Sequence, residues 1–342
     1  MSEARPLGPT TLVVDAPAPP AEPAPPPPPP ARPPALRLFL GGLGSVLRAP
    51  RAWVFVLGVE LLLALGVAAQ AYEAAREHWA PLARADLEPG TDFLNRMPRW
   101  LFEDLARARP GEAGAWSWSL AAAALLSSLL GLVFAAGWMN LGLHRARHGL
   151  AAFLQTGGRF LPAFFLTWIL GLPLAWAATW LVQGPPGEAV LGWFFPEGDP
   201  SLAAHEGLAW WVLQVREVLA VFLLLLVEIA LDLGRAGLVV RGRGTGILAV
   251  PWGLAFLLRH PLRSLAVCAA GLALEGLWLL AFGFLLGGAE TPASGLGLLV
   301  LLLSGRILLR GARLAGLALL VESHLTGPDE APLEPGDPWA TG

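Results

Sequence analysis

The chain contains no lysine, since all 23 of its basic residues are arginine. A Walker A phosphate loop and a Schiff-base mechanism both need a lysine amine at a defined place, so both are excluded. There is one cysteine, Cys268, which excludes an internal disulfide and a cluster of thiolate metal ligands. Because Cys268 lies in an apolar run, it is predicted to be a small core residue.

Charged residues are scarce as well, at 14% of 342 residues against about a quarter in an ordinary soluble domain. Hydrophobic residues make up 55% of the chain, too many for the polar residues to cover. The lipid bilayer is therefore the predicted partner. The net charge of −3 offers no basic surface, so no nucleic-acid partner is expected. The abundance of arginine, glycine and proline is typical of a GC-rich bacterial genome.

The first 34 residues contain 14 prolines, including an unbroken run over residues 25–30, and have no periodic apolar face. This composition predicts a disordered, Pro-rich cytoplasmic tail. The basic and then apolar start of a signal peptide is missing before Ala35, so the tail is expected to stay on the protein. A membrane domain over residues 35–325 and a short acidic cytoplasmic tail over residues 326–342 complete the predicted organisation.

The membrane domain is predicted to be an all-α, polytopic transmembrane helical bundle. A helix needs about 20 mostly apolar residues to cross the hydrocarbon core. Six stretches meet this requirement: residues 53–72, 116–141, 160–182, 209–233, 264–286 and 295–321. The fourth is the least regular, because its apolar window can slide towards Val240 and leave Trp210 and Trp211 at the outer interface.

The arginines in the short connections predict the orientation, since cytoplasmic loops keep an excess of basic residues. The loop over residues 183–207 carries four acidic residues and no arginine, so it is predicted to face the outside. Both termini are then cytoplasmic, and the protein is a multi-pass protein of the bacterial inner membrane. The arginines on the predicted cytoplasmic side are Arg32, Arg37, Arg48, Arg51, Arg145, Arg147, Arg159, Arg235, Arg241, Arg243, Arg259 and Arg263.

A weak repeat precedes each odd-numbered span. Residues 36–50, 149–162 and 247–261 each combine a partly apolar stretch, an arginine and a proline. We call these the lead segments, and they predict three helical hairpins, each introduced by an interfacial amphipathic helix. A true triplication is one explanation. The other is that any helical hairpin needs a basic, amphipathic segment in front of it.

The motifs Asp232-Leu233-Gly234-Arg235 and Leu257-Leu258-Arg259-His260-Pro261, within this plan, resemble uncharacterised six-span bacterial membrane proteins. Similar domains are appended to some glycerophosphodiester phosphodiesterases. The resemblance covers about residues 36–325, although many of those proteins carry an aromatic residue where Leu233 stands here. Because the appended domain is not the hydrolase, the resemblance implies a membrane module and transfers no catalytic residue.

Nine ionisable residues fall inside the predicted spans, where a charge costs several kcal/mol unless it is paired or hydrated. Arg216 and Glu217 lie nearer the outer end of the fourth span, and the other seven form the candidate site: Glu60, Glu228, Asp232, Glu275, Arg306, Arg310 and Arg313. Glu228, Asp232 and Arg235 follow helical spacing, and so do Arg306, Arg310 and Arg313, so each set is predicted to point into the bundle. Three interpretations are open: arginines in the headgroups with the last helix lying along the surface, a structural salt-bridge network, or a conduction or binding pathway. For a network, Glu228 with Arg310 and Glu275 with Arg306 are the predicted pairs.

Few other residues suggest a metal site, a catalytic site or a cofactor site. His144 and His148 are four residues apart but have no third ligand nearby, so no metal site is predicted. No catalytic nucleophile and no cofactor motif are found, and residues 92–107 have the spacing of an amphipathic surface helix. The leading hypothesis is a non-enzymatic membrane module that organises lipid or a membrane-protein partner, or passes a small molecule. The alternative is a secondary transporter that uses the intramembrane charges.

Overall fold

The fold is known from a computed structural model, which describes residues 33–79, 107, 110–143, 149–195, 206–242, 244–287 and 292–325. Within these ranges the secondary structure is helical, with no strand. The helices are α1 (Ala35–Leu47), α2 (Pro50–Trp79), α3 (Pro110–Leu143), α4 (Leu150–Gln183), α5 (Pro185–Phe194), α6 (Glu206–Arg241), α7 (Gly246–Arg259), α8 (Pro261–Gly287) and α9 (Pro292–Leu325). Residues 1–32 and 326–342 of the predicted tails and residues 92–106 of the predicted helix over 92–107 lie outside the described residues.

Five helical stretches in the described part of the chain are long and apolar enough to cross a membrane. They are Pro50–Val67, Ser117–Leu143, Leu150–Phe194, Pro261–Leu285 and Ser294–Leu325. By helix length and hydropathy, the chain is a multi-span membrane protein. Apart from their ends, these stretches coincide with five of the six predicted spans. The fourth predicted span lies in α6, whose apolar sequence is interrupted by charged residues.

The core is built from the C-terminal halves of three helices, α3, α6 and α9, which contact one another. Side chains are buried without interruption over residues 134–139, 229–239 and 311–318. Phe39 of α1 and Phe153 and Phe164 of α4 fill the space around them. The interpretation in which the last helix lies at the inner membrane surface after Arg306 stays a hypothesis. The part of α9 after Arg306 is buried over residues 311–318, where α1 and α8 cover it.

The opposite halves of the same helices expose apolar side chains. Leu125 of α3, Trp176 of α4 and Val221 of α6 have 52%, 68% and 65% of their surfaces exposed, and Phe284 of α8 has 86%. Such a contiguous apolar surface is unfavourable in water and favourable in acyl chains. This half of the bundle is therefore the part suited to contact with lipid.

Three hairpins account for the packing. Within each hairpin α2 contacts α3, α4 contacts α6, and α8 contacts α9. The lead segments join the hairpins: α1 packs on α9 and α8, the N-terminal part of α4 packs on α3, and α7 packs on α6 and α4. Each lead segment therefore contacts the preceding hairpin, and the first one closes the ring by contacting the third.

Two glycines occupy equivalent places in this ring. Gly42 of α1 and Gly253 of α7 both stand eight residues before the proline that begins the next helix, Pro50 or Pro261. A Cβ atom on Gly42 would collide with the carbonyl oxygen of Ala312 and lie 2.7 Å from the nitrogen of Gly316. On Gly253 it would collide with the carbonyl oxygen of Ala230 and lie 2.7 Å from the nitrogen of Gly234. The same close contact is therefore made twice, by different parts of the chain.

The second lead segment departs from the predicted plan. α1 and α7 are separate helices that end before Pro50 and Pro261, but Pro162 lies inside the continuous helix α4. A proline ring crowds the carbonyl group four residues earlier. In α4 that residue is Gly158, which has open space around it, whereas Val46 and Leu257 hold the equivalent places as buried side chains. Pro173 of α4 and Pro251 of α7 likewise lie inside continuous helices, so a proline does not by itself end a helix in this chain.

Candidate functional site

An ion-pair cluster lies at the interface of α6 and α9. Arg313 Nη2 is 3.1 Å from Glu228 Oε1 and 4.0 Å from Asp232 Oδ2. Asp232 Oδ1 in turn accepts a hydrogen bond of 2.9 Å from Arg235 Nη1, three residues along the same helix. Asp232, Arg235 and Arg313 are buried, whereas half of the Glu228 side chain is exposed. Of the two sets predicted to point into the bundle, Asp232, Arg235 and Arg313 are buried, whereas Glu228, Arg306 and Arg310 are exposed.

Arg235 extends the cluster to α4. Its Nε donates a hydrogen bond of 3.1 Å to Thr167 Oγ1, and the Thr167 hydroxyl donates one of 2.7 Å to the Phe164 carbonyl oxygen. The guanidinium carbon of Arg235 also lies 5.8 Å from the centre of the Phe164 ring. A buried arginine is costly unless its donors are satisfied, and these contacts supply that compensation.

Arg313 has room at this interface because α8 carries a glycine beside it. A Cβ atom on Gly271 would lie 3.1 Å from Arg313 Cβ, so a larger residue there would press on the arginine stem. Within the described residues, Arg313 Nε and Nη1 have no hydrogen-bond partner although they are buried. Only one of the three guanidinium nitrogens therefore carries both carboxylate contacts.

Of the two predicted pairs, Glu275 with Arg306 is the one that forms. Arg306 Nε is 3.5 Å from Glu275 Oε1, with 49% of the arginine side chain and 15% of the glutamate side chain exposed. This pair links α9 to α8 away from the buried cluster. Glu60 of α2 is partly exposed and has no ion pair within the described part of the chain.

Arg310 does not form the ion pair that the sequence predicts for it. The sequence predicts Arg310 as the partner of Glu228, but the structure gives that place to Arg313. Arg310 is exposed and has no ion pair among the described residues. It lies instead on the wall of a cavity of about 290 Å³.

This cavity lies between α3, α4, α6 and α9, above the buried core and partly open to the outside of the bundle. Its polar lining consists of Ser128, Glu228, Asp232, Arg235 and Arg310. The apolar lining consists of Gly131, Leu132, Ala135, Trp168, Gly171, Leu172, Ala175, Leu224, Val227, Leu231 and Leu314.

The packed core lies directly beneath the cavity. Met139, Leu233, Ala236, Leu317 and Ala318 follow the lining residues along α3, α6 and α9, and each has no exposed surface. A packed protein interior leaves few voids large enough for water. In this conformation the cavity therefore ends at the core and does not continue through it.

Contacts at the far ends of α4 and α6 were not predicted from the sequence. Arg216 donates hydrogen bonds of 3.0 Å and 2.7 Å to the carbonyl oxygens of Val182 and Gln183, the last residues of α4. These carbonyl groups have no partner within the helix, so an arginine there satisfies and stabilises the helix end. Arg216 thus fixes the α4–α6 hairpin and does not belong to the cavity.

Histidines come together in one unexpected place. The rings of His260 and His324 have centroids 4.3 Å apart, and both contact Phe256. The predicted pair His144 and His148 lies outside the described residues. Within the described ranges, no group of three or more His, Cys, Asp and Glu side chains could hold a metal ion.

Comparison with protein-family models, curated proteins and solved structures finds no match to this chain. The cluster and the cavity are therefore the features of the molecule that indicate its function.

Proposed function

We propose that the chain is a six-span, non-enzymatic module of the bacterial inner membrane that binds and organises lipid. The observation that carries this proposal is the cavity that opens among apolar helices and ends on a packed core. A pocket of this form is suited to holding a ligand and is not a continuous path. The resemblance to membrane domains appended to phosphodiesterases supports the same proposal, because it implies a membrane module without catalytic residues.

The span that completes the six in this proposal is the fourth in chain order, which lies in α6. Its 36 residues give a length of about 54 Å, more than enough to cross the bilayer. Arg216 and Glu217 stand at the outer end, and the Asp232–Arg235 pair and Glu228 face the cluster. Between these groups, residues 218–227 are entirely apolar. The charges of the helix therefore lie at the two ends of this apolar stretch.

The orientation is tested by labelling single cysteines in a Cys268→Ala background. Both termini are proposed to be cytoplasmic, so Ala35→Cys and Leu325→Cys should be protected from an impermeant thiol reagent applied to intact cells. Cysteines at Gly90, Pro196 and Thr291, which lie outside the described residues, should be labelled. Labelling of Leu325→Cys, or protection of Pro196→Cys, would overturn the six-span topology.

Lipid binding is tested by native mass spectrometry of the full chain released from detergent micelles. The proposal expects retained phospholipid after washing in detergent, at a defined stoichiometry. A chain that retains no lipid, or a broad unsaturable distribution, contradicts the proposal.

The alternative function is secondary transport, which is favoured by the charged side chains that α6 and α9 contribute to one cavity. Its test is a flux measurement in liposomes that contain the protein, a pH-sensitive dye and an imposed potassium gradient. A proton flux that Glu228→Gln abolishes would favour the transporter. No protein-dependent flux, together with retained lipid, would favour the lipid module.

A further inference from the structure

We infer that the cavity binds the anionic phosphate head of a membrane phospholipid, with Arg310 as the residue that contacts the phosphate. This inference rests on the proposed function and assigns it a site and a ligand class. Three observations lead to it: the balance of charge around the cavity, the partners of each charged group, and the shape of the apolar walls.

The charge around the cavity does not balance. Glu228 and Asp232 supply two negative charges, whereas Arg235, Arg310 and the adjacent Arg313 supply three positive charges. Arg310 is the charge left without a carboxylate partner among the described residues, and a bound anion is the simplest compensation for it. The site therefore favours a ligand with one net negative charge.

The existing contacts show where the anion binds. Asp232 is bonded to Arg235, and Glu228 is bonded to Arg313, so neither carboxylate is open to a cationic ligand without losing an arginine. Arg310 has no ion pair in the described part of the chain, and its guanidinium carries five N–H donors in a planar fork. This fork matches two phosphate oxygens at once, which a single charge on an ammonium group cannot do.

The walls favour an amphiphile over a free phosphate ion. Apolar side chains such as Trp168, Leu172 and Leu224 make up most of the lining. The volume of about 290 Å³ is small for a ligand pocket and suits a headgroup but not a whole lipid. Beyond the opening, Leu125, Trp176 and Val221 continue an exposed apolar surface on α3, α4 and α6. A lipid can place its phosphate at Arg310 and its chains along this surface.

The experiment measures the affinity of the delipidated full chain for defined probes in dodecyl maltoside. The probes are short-chain phosphatidylglycerol, short-chain phosphatidylcholine and inorganic phosphate, and the readout is the shift of the unfolding midpoint with probe concentration. Wild type should bind phosphatidylglycerol more tightly than phosphatidylcholine, and inorganic phosphate much more weakly than either. Arg310→Gln should weaken phosphatidylglycerol binding by about tenfold to a hundredfold, the range of a hydrogen bond to a charged group.

A matched control is available on the same helix. Arg306 is also exposed but lies outside the cavity and is paired with Glu275, so Arg306→Gln should leave the affinity for phosphatidylglycerol within about twofold of wild type, since remote changes act independently. Ala175→Phe keeps every charge and fills the cavity, so it should reduce binding of both lipids. Because Arg310 has no ion pair among the described residues, Arg310→Gln should still fold.

Each contrary result has a definite meaning. Equal affinity for the two lipids, or unchanged binding in Arg310→Gln, overturns the anionic site even if wild type retains lipid. Inorganic phosphate binding as tightly as phosphatidylglycerol overturns the assignment to a lipid. If wild type retains no lipid at all, the proposed function is wrong. This result differs from those above, which overturn the anionic site or the lipid ligand while wild type still retains lipid.

Discussion

Arg313 of α9 and Glu228 of α6 form an ion pair of 3.1 Å between residues 85 positions apart in the chain. Asp232 lies one helical turn beyond Glu228, and its Oδ2 is 4.0 Å from the same guanidinium nitrogen. A single arginine therefore serves two carboxylates, and the α6–α9 interface depends on it.

The first prediction concerns the two neighbouring arginines of α9. Arg313→Leu removes the shared partner of two acids and should lower the free energy of unfolding in detergent by about 3 kcal/mol or more. Arg310→Leu is the matched control, since it removes an exposed arginine with no ion pair in the described chain, and should cost less than about 1 kcal/mol. Unfolding followed by circular dichroism separates the two. Equal losses would contradict the assignment of Arg313 as the structural residue.

The second prediction is a double-mutant cycle. Glu228→Leu should partly restore the stability lost in Arg313→Leu. In the single variant the Glu228 carboxylate has lost its arginine partner, and in the double variant that carboxylate is no longer present. The expected coupling is about 1 to 3 kcal/mol, as for residues in direct contact. The same cycle with Arg310→Leu in place of Arg313→Leu should be additive. Additivity in both cycles would mean that the pair does not form in solution.

The third prediction tests the contact between Arg235 and α4. Thr167→Val leaves the buried Arg235 Nε without its acceptor and should cost about 1 to 3 kcal/mol. Thr179→Val, in the same helix, removes only a hydrogen bond to the Ala175 carbonyl oxygen of its own backbone and should cost less. Equal losses in the free energy of unfolding for Thr179→Val and Thr167→Val would mean that the buried hydrogen bond to Arg235 adds no more stability than a hydrogen bond within α4.

The fourth prediction uses the equivalent glycines. Gly42→Ala and Gly253→Ala should each destabilise the protein by about 1 to 3 kcal/mol or more, because the added methyl group meets backbone that cannot move aside. Gly44→Ala, two residues from Gly42 in the same helix, adds a methyl group in open space and should stabilise α1 by about 0.5 to 1 kcal/mol. Thermal unfolding in detergent measures all three. Tolerance of Gly42→Ala would disprove close packing of α1 on α9.

Much of the architecture follows from sequence periodicity and length. The apolar stretches predict five of the helical spans, and the spacing of Asp232 and Arg235 predicts that both face inward. The break before Pro50 and before Pro261 also follows from proline chemistry. The continuous helix through Pro162 does not, because a proline does not by itself end a helix in this chain.

The sequence alone cannot predict which arginine pairs with Glu228, because two arginines of α9 face nearly the same way. Arg310 and Arg313 are three residues apart, so their directions differ by only about 60° around the helix. Either one can face α6 on a helical wheel. Gly271 on α8 decides the matter, since it leaves room for the stem of Arg313, and this contact joins residues that no spacing relates. The cavity is unpredictable for the same reason, because four helices line it.

The closed ring of hairpins carries a consequence for the origin of the chain. Gly42 meets α9 as Gly253 meets α6, so the first and last thirds of the sequence are joined by the same contact that joins two consecutive thirds. A surface that recognises the next copy of itself in a closed cycle is the geometry of a rotationally symmetric oligomer. The recurrence of this contact at two of the three junctions favours the triplication hypothesis over the alternative that any hairpin needs a basic lead segment. On that hypothesis, an ancestor one third as long, with one lead helix and one hairpin, assembled as a homotrimer.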